Sequence, residues 1–429
     1  MRDSRPLLLF IAGPGGPDPE WWLPRLTEDY RLRILWTSPR ERIRAAKHLE
    51  GQVRHVEHVL VANDLPWRAR LAAEIAETKP DGVLAFSELV ADVCHAEAAA
   101  VGLPATAPQA AAAMRSKFDQ RCRLQEAGVP TPRFKLVSRL RELSVAVAQV
   151  GTPAILKPSV GVGSMATYQV ESSSDLQALW ASATDALLSD DRGDGEPTFI
   201  LEELLEGRTQ SLERSLGDQV SVESLVQGRV AHHLAISDKF PMAAPFRETG
   251  DLTTSTLAPE VLQALINATA AAIKALELDN CAVHTEFMLT RDGPRIIEVN
   301  GRIGGGVAQL LHYSCDYDVV GALARVATGA DVGALPVPVR WAAQYLLQPP
   351  GSATTTVAKT PSSAELLALP HVVDAEVLAP VGTVVDPMRG TSARVARLFA
   401  VSDKANDLLA LNHKLNDGTY FVYEPTDGG

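Results

Sequence analysis

The run "RIIEVNGRIGGG", Arg295 to Gly306, is the strongest constraint on how this chain can fold. Alternate residues of a strand point to one face and lie roughly 6.6–7 Å apart. As a strand, the run sets Glu298, Asn300 and Arg302 on one surface, turns Ile297 and Val299 to the other, and ends in Gly304, Gly305 and Gly306. A carboxylate, a carboxamide and a guanidinium side by side serve no apolar core. They suit a metal ion and the anion it carries. The preceding "AVHTEFMLTRDGP" supplies a partner strand, and a loop centred on Asp292 places Glu286 opposite Glu298, because Asp292 lies midway between them. Directly opposed side chains share a face about 4.5–5.5 Å apart at Cβ. Two carboxylates that close repel unless a cation lies between them, and oxygen donors from Glu286, Glu298 and Asn300 suit Mg²⁺. His284 shares the face as a candidate contact, although a lone histidine is more often structural.

Composition decides what the rest of the chain can be. At 429 residues it is expected to hold about three domains of ~150 residues each. A formal net charge of -12 argues against nucleic-acid binding, which needs clustered Lys and Arg. The basic run "RERIRAAKH" near Arg40 reads as one face of a helix. "LLLFIAG" is too short to span a membrane, and no later segment approaches ~18 uninterrupted apolar residues. Cys94, Cys122, Cys281 and Cys315 lie far apart without a CxxC pair, as expected of reduced thiols rather than a disulfide framework or zinc site. A soluble cytoplasmic protein without nucleic-acid or membrane partners is expected.

Over residues 1–107, "PLLLFIAGPGG", "RLRILW" and "DGVLAFS" read as buried strands alternating with helices such as "RARLAAEIAETK". That is the pattern of a Rossmann-like parallel α/β domain. The turn "GPGGP" matches neither phosphate-binding glycine motif and reads as an ordinary strand-to-helix turn. "PQAAAAMRSKFDQRCRLQEAGVPTP" reads as one helix from near Gln109, stopped by Gly128. "PAILKPSVGVGSMATYQV" reads as a hairpin, Ala154–Lys157 with Ala166–Val170, and a capped helix follows. "TFILEELLEG" is a strand running into a turn, and "QG" marks a hairpin in "QVSVESLVQGRVAHHLAIS". A helix is expected over Pro259–Leu276, and short strands with one helix near Asp403–Leu411 after Val337.

Lys157 ends an apolar strand, and a lysine there needs an anionic partner. Beside it, Gly161, Gly163 and Ser164 offer backbone N–H groups able to close on phosphates. Because the lysine precedes the glycines, this is not a P-loop. Lys117 alone is an unremarkable helical residue. Glu202–Leu205 read as a strand edge with free backbone groups, of the kind that can read a purine.

Taken in order, "SKFDQRCRLQEAGVPTP", "AILKPSVGVGS", "FILEELLEG", "VSVESLV", "HTEFML" and "IIEVNGRIGGG" resemble the ATP-grasp superfamily of carboxylate–amine ligases over roughly Pro108–Ala330. Within it, the layout looks most like bacterial L-amino-acid ligases, which make dipeptides. The resemblance implies a lid lobe over 108–196, a large lobe with the metal site over 197–336, and a β-rich extension over 337–429. It implies ATP and Mg²⁺, two ions per site with Mn²⁺ able to substitute, small carboxylate and amine substrates, and a homodimer as the family prior.

By resemblance, Lys117 and Lys157 bind phosphate beneath the loop of Gly161, Gly163 and Ser164. Glu202, Glu203 and Leu205 form the adenine hinge, and Gln219 or Glu223 takes the ribose. Glu286, Glu298 and Asn300 hold the metal. Arg302 steadies the transferring phosphate, and Lys239 adds charge near the γ-phosphate. Glu88, Arg247, Glu248, Gly304 and Gly305 are substrate candidates, although Glu88, Arg247 and Glu248 each also read as plain loop charges. The sequence departs from the family at Met165 and Ala166, which stiffen the lid loop, at the insertion "RTQSLERSLGD", and at Gly301 where many relatives have proline.

The implied chemistry is activation of a carboxylate as an acyl phosphate, then attack by an amine. Three rivals stand beside it: the same fold acting on bicarbonate or a biosynthetic intermediate, an ATP-binding regulatory protein without catalysis, and an NAD-dependent oxidoreductase. The absence of GxGxxG and the presence of the metal hairpin oppose the last.

Overall fold

The structure is a computed structural model describing residues 4–37, 42, 56–60, 67–161, 163–189, 197–207 and 215–426. Most of the basic run near Arg40, residues 190–196 and insertion residues 208–214 lie outside the described residues. Strands β1 (Leu7–Ala12), β2 (Arg31–Trp36), β3 (Val56–Leu60) and β4 (Gly82–Ala85) form a parallel sheet in the order β3-β2-β1-β4. Leu8 and Phe10 of β1 enter one core while Leu9 and Ile11 enter another. Burial on both faces explains the unbroken apolar run.

The expected single helix after Pro108 is two, Pro108–Arg115 and Lys117–Glu126. Ser116 leaves helical geometry (φ -92, ψ 108) and its Oγ accepts the Asp119 N–H at 3.2 Å, so it caps the second helix. The break puts Lys117 at a helix start, where its backbone N–H donates to Ser159 O at 2.9 Å.

Strands β5 (Phe134–Val137), β6 (Ala154–Pro158), β7 (Tyr168–Val170) and β8 (Phe199–Glu203) make an antiparallel sheet in the order β5-β8-β6-β7. β8 therefore lies inside the small lobe, beyond the 196/197 boundary expected from sequence. Met165 and Ala166, after the glycines, are buried in that lobe's core with Leu156 and Leu201.

The central sheet has eight antiparallel strands. It comprises β9 (Gln219–Gln227), β10 (Val230–Lys239), β11 (Gly250–Thr253), β12 (Cys281–Thr290), β13 (Gly293–Asn300), β14 (Trp341–Leu347), β16 (Val372–Val377) and β18 (Ala396–Ser402), in the order β13-β12-β9-β10-β11-β14-β18-β16. The C-terminal portion thus extends the large-lobe sheet instead of standing apart. Only β15 (Thr355–Lys359), β17 (Val384–Val385) and β19 (Val422–Pro425) form a separate small sheet. The helix Pro259–Ala275 backs the hairpin, burying Leu265, Ala272 and Ile273 against Val283, Phe287 and Val299. No described helix is long and apolar enough to cross a membrane.

Candidate active site

The hairpin β12–β13 places Glu286 opposite Glu298 and His284 opposite Asn300. The expected pairing of the glutamates is present, but for a different reason. Thr290 pairs with Gly293, so the turn holds two residues and is not centred on Asp292. A bulge then adds one residue between Ile296 and Glu298 and restores the register. Its extra residue, Ile297, lines the cleft instead of facing away, while Ile296 and Val299 enter the core. β13 ends at Asn300, so Arg302 reaches the site from the loop beyond it.

Glu298 accepts from Lys117 Nζ at 2.7 Å, and Glu286 accepts from His284 Nε2 at 2.9 Å. Asn300 is buried, 1% exposed, and neither side-chain polar atom has a hydrogen-bond partner. Buried amides are rarely left so, and an absent ligand is a ready explanation. Among the described residues no group of three His, Cys, Asp or Glu suits a metal. Two carboxylates with one orphaned carboxamide still fit Mg²⁺, a hard ion that keeps waters and takes other ligands from phosphates. Burial opposes ionisation of Glu286, but Lys239, then His284 and Arg302, hold its carboxyl well below the usual range. Burial alone would lower the His284 pKa; Glu223, then Glu286, raise it to about 10, so its ring donates to both carboxylates.

Glu223, the acidic alternative to Gln219 for the ribose, is committed within the protein. It is 1% exposed, holds His284 Nδ1, and accepts the Gly304 N–H at 3.2 Å. Gln219 lines the cleft instead. Gly304 lies behind the site, where a Cβ would press on the His284 ring, whereas Gly305 lines the inner cavity.

On the lid lobe, Lys157 Nζ lies 2.8 Å from Glu202, and Arg121 grips the same carboxylate at 2.7 and 3.3 Å. Burial disfavours that charge, but Arg121 and Lys157 pull the Glu202 pKa down to about 2. Glu202 is therefore an ion-pair anchor for Lys157 inside the sheet. β8 is an interior strand, and the Glu203 and Leu204 N–H groups go to Arg133 O and Pro153 O, so the strand's end, not an edge, meets the cleft. The Glu203 carboxylate is held by Arg133 at 2.5 Å and Arg295 at 3.4 Å. Leu205 lines the cleft beyond. Lys117 also donates to Gly161 O at 2.7 Å, tying the glycine loop to the metal hairpin.

Lys239 opposes Asp251 across β10–β11, and Asp251 opposes Gln344 across β11–β14. Lys239 Nζ lies 2.6 Å from Glu248 and 3.3 Å from Asp251. Burial would lower its pKa, but Asp251 and then Glu248 raise it well above normal. Arg302 donates twice to Glu88, at 2.9 and 2.6 Å. Arg247 is fully buried, and its guanidinium is spent on the carbonyls of Ala244, Pro349 and Gly351 and on Gln348. It clamps a loop.

Three confluent cavities connect these groups. An apolar slot of about 990 Å³ is walled by Ile155, Leu205, Phe240, Met242, Phe246 and Ile297. A polar cavity of about 890 Å³ holds Lys117, Lys157, Ser164, Glu286, Glu298 and Arg302. An inner cavity of about 1170 Å³ holds Glu88, Lys239, Glu248, His284, Gly305 and Gln344. Lys157 and Gln219 are among the residues common to the slot and the polar cavity; the polar and inner cavities share Glu88, Gly163, Glu248, Glu286 and Arg302. Sequence reasoning missed Arg121, Gln344 and the wall supplied by Thr391, Ser392 and Arg394. Gln344 had a faint signal, one amide in the apolar "WAAQYLL".

A lid sheet and a large antiparallel sheet closing on lysines and paired glutamates define an ATP-grasp fold, and residues 150–310 match the ATP-grasp domain family. The chain carries an ATP-grasp domain. Among curated proteins it is 31% identical over 211 residues to the alanine–anticapsin ligase of Bacillus subtilis, covering 48% of this chain and 44% of that one. The chain thus spans under half the length of that relative. Among solved structures, an L-amino acid ligase from Bacillus licheniformis superposes with a TM-score of 0.78 at 20% identity, over 99% of this chain and 100% of that one. An Aspergillus clavatus N5-carboxyaminoimidazole synthase, in complex with ADP and 5-aminoimidazole ribonucleotide, gives 0.68 at 14% identity over 96% and 98%. These likenesses show the fold.

Proposed function

We propose that the protein is an ATP-dependent ligase that activates a carboxylate as an acyl phosphate and joins it to an amine, releasing ADP and phosphate. The observation that carries this reading is Glu286 opposed to Glu298 beneath Lys117, with the unpartnered Asn300 carboxamide on the same face. Lys117, Glu286 and Glu298 line the polar cavity that lies between the apolar slot and the inner cavity. We further infer that the carboxylate belongs to an amino acid, a reading supported by the names of the ligases this chain resembles. Two ions per site, tolerance of Mn²⁺, a homodimer and a cytoplasmic location complete the proposal.

A carboxylate resists attack because its leaving group would be oxide, so it must first be phosphorylated. Phosphoryl transfer is mainly positioning and charge stabilisation. Bound to Glu286, Glu298 and Asn300, Mg²⁺ would neutralise phosphate charge and align the transferring group. Lys117 and Lys157 bring positive charge from the lid, and Arg302 stands at the passage between the polar and inner cavities. The loop from Gly161 to Ser164 covers the phosphates and keeps water from the acyl phosphate. Glu88 and Glu248 are the inner-cavity carboxylates available to a substrate ammonium group. Heavy-oxygen labelling of the substrate carboxylate tests the route. Transfer of label to the released phosphate is expected, and unlabelled phosphate alongside a formed amide would contradict an acyl phosphate.

A further inference from the structure

One segment outside the ATP-grasp match touches both the lid loop and the inner cavity. It is the 3-10 stretch Pro387–Ala393, "PMRGTSA", from the C-terminal extension. The backbone N–H of Thr391 donates to Gly163 O at 3.0 Å, so the segment grips the glycine loop at a residue shared by the polar and inner cavities. Its hydroxyl accepts the Glu248 N–H at 3.3 Å. Gln348 Nε2 closes the circuit by donating to Glu248 O at 3.0 Å and Thr391 O at 3.3 Å, and Arg247 Nη1 fixes Gln348 Oε1 at 3.1 Å. Gly390 is the contact point. At φ 67 it occupies the left-handed region, and a Cβ there would collide with Gly163 O.

We propose that Thr391 is a positioning residue for the ligase reaction, holding the phosphate lid through its main chain and the Lys239 partner Glu248 through its hydroxyl. Closure of the lid is thereby registered against the inner-cavity wall, and Gly390 is required because only glycine lets the two backbones meet. Thr391 itself is 8% exposed, so the link is made inside the protein. The inference rests on the ligase reading, because it assigns the glycine loop the task of excluding water from an acyl phosphate.

The test uses the full chain with a non-hydrolysable MgATP analogue. Hydrogen exchange is followed over the loop 160–167, and affinity is measured separately. Wild type should bind the analogue and protect the loop. Gly390→Ala should bind about tenfold more weakly, the size of one lost closure contact, and leave the loop exchanging freely. Equal protection in Gly390→Ala overturns the proposal. Should that variant melt early, Thr391→Val gives an independent reading. It keeps the main-chain bond and the loop protection but leaves the Glu248 N–H without its acceptor, and it should release several-fold more phosphate per amide formed. Thr391→Ser should restore the wild-type ratio. An unchanged ratio in Thr391→Val sinks the hydroxyl's role. Failure of wild type to bind the nucleotide overturns the ligase reading, and the latch with it.

Discussion

Glu202 and Asn300 show how differently two buried polar residues of one site behave. Glu202 is compensated by Arg121 and Lys157, which hold its pKa near 2 against burial. Its folded pKa lies below the unfolded value, so it adds stability that is fully present above about pH 5 and lost as pH falls towards 2. Glu202→Gln should cost on the order of 3 kcal/mol at pH 7, and the gap from wild type should narrow below about pH 4 and close only towards pH 2. Denaturant unfolding at pH 7 and pH 3 checks this; a gap independent of pH would contradict the ion-pair account. Asn300 has no partner to lose. Asn300→Leu should therefore melt no earlier than wild type, yet lose turnover by on the order of 100-fold or more. A variant that melts early, or turns over normally, would remove the metal assignment.

Two elements decide whether these residues meet. The bulge at Ile297 is the first, because it keeps Glu298 opposite Glu286 across a two-residue turn. Without the bulge Ile297 would oppose Glu286 and Glu298 would fall on the other face, since the side-chain period of a strand is two. Glu298→Ala, which keeps the bulge, should abolish turnover while leaving the fold, which circular dichroism checks. The Ser116 break is the second, aiming Lys117 from a helix start at Glu298 and Gly161. Ser116→Ala should cost about 1 kcal/mol and weaken ATP binding without changing the adenine slot. An unchanged KM for ATP would show that the cap does not position Lys117. Neither element was legible. A bulge leaves no mark in residue type, and an isolated Ser-Lys step inside a helical pattern looks like any other turn of that helix.

At the scale of the molecule, alternation and turn residues made the parallel N-terminal sheet and the lid hairpin readable, whereas the glutamate pairing was reached from a turn of the wrong length. The phosphate role proposed for Lys117 and Lys157 needed the family resemblance as well, since Lys117 alone has no distinguishing neighbour. What stayed hidden was long-range. Arg247 stood as a substrate candidate or a plain loop charge, and neither reading could see that carbonyls more than 100 residues away in the chain take up its donors. Glu223 stood beside Gln219 as the alternative for the ribose, and its register opposite His284 was not visible in residue type. The C-terminal strands were legible as a β-rich extension, but how they attach was not: β14 joins the central sheet beside β11 and brings Gln344 to the inner cavity.

Phosphate release from MgATP, measured against amino acids singly and in pairs with mass spectrometry of each mixture, tests the central claim most directly. The account predicts ADP and phosphate together with a condensed amide for at least one pair, and no product without Mg²⁺. Tight MgATP binding with no condensed product from any carboxylate and amine offered would contradict it.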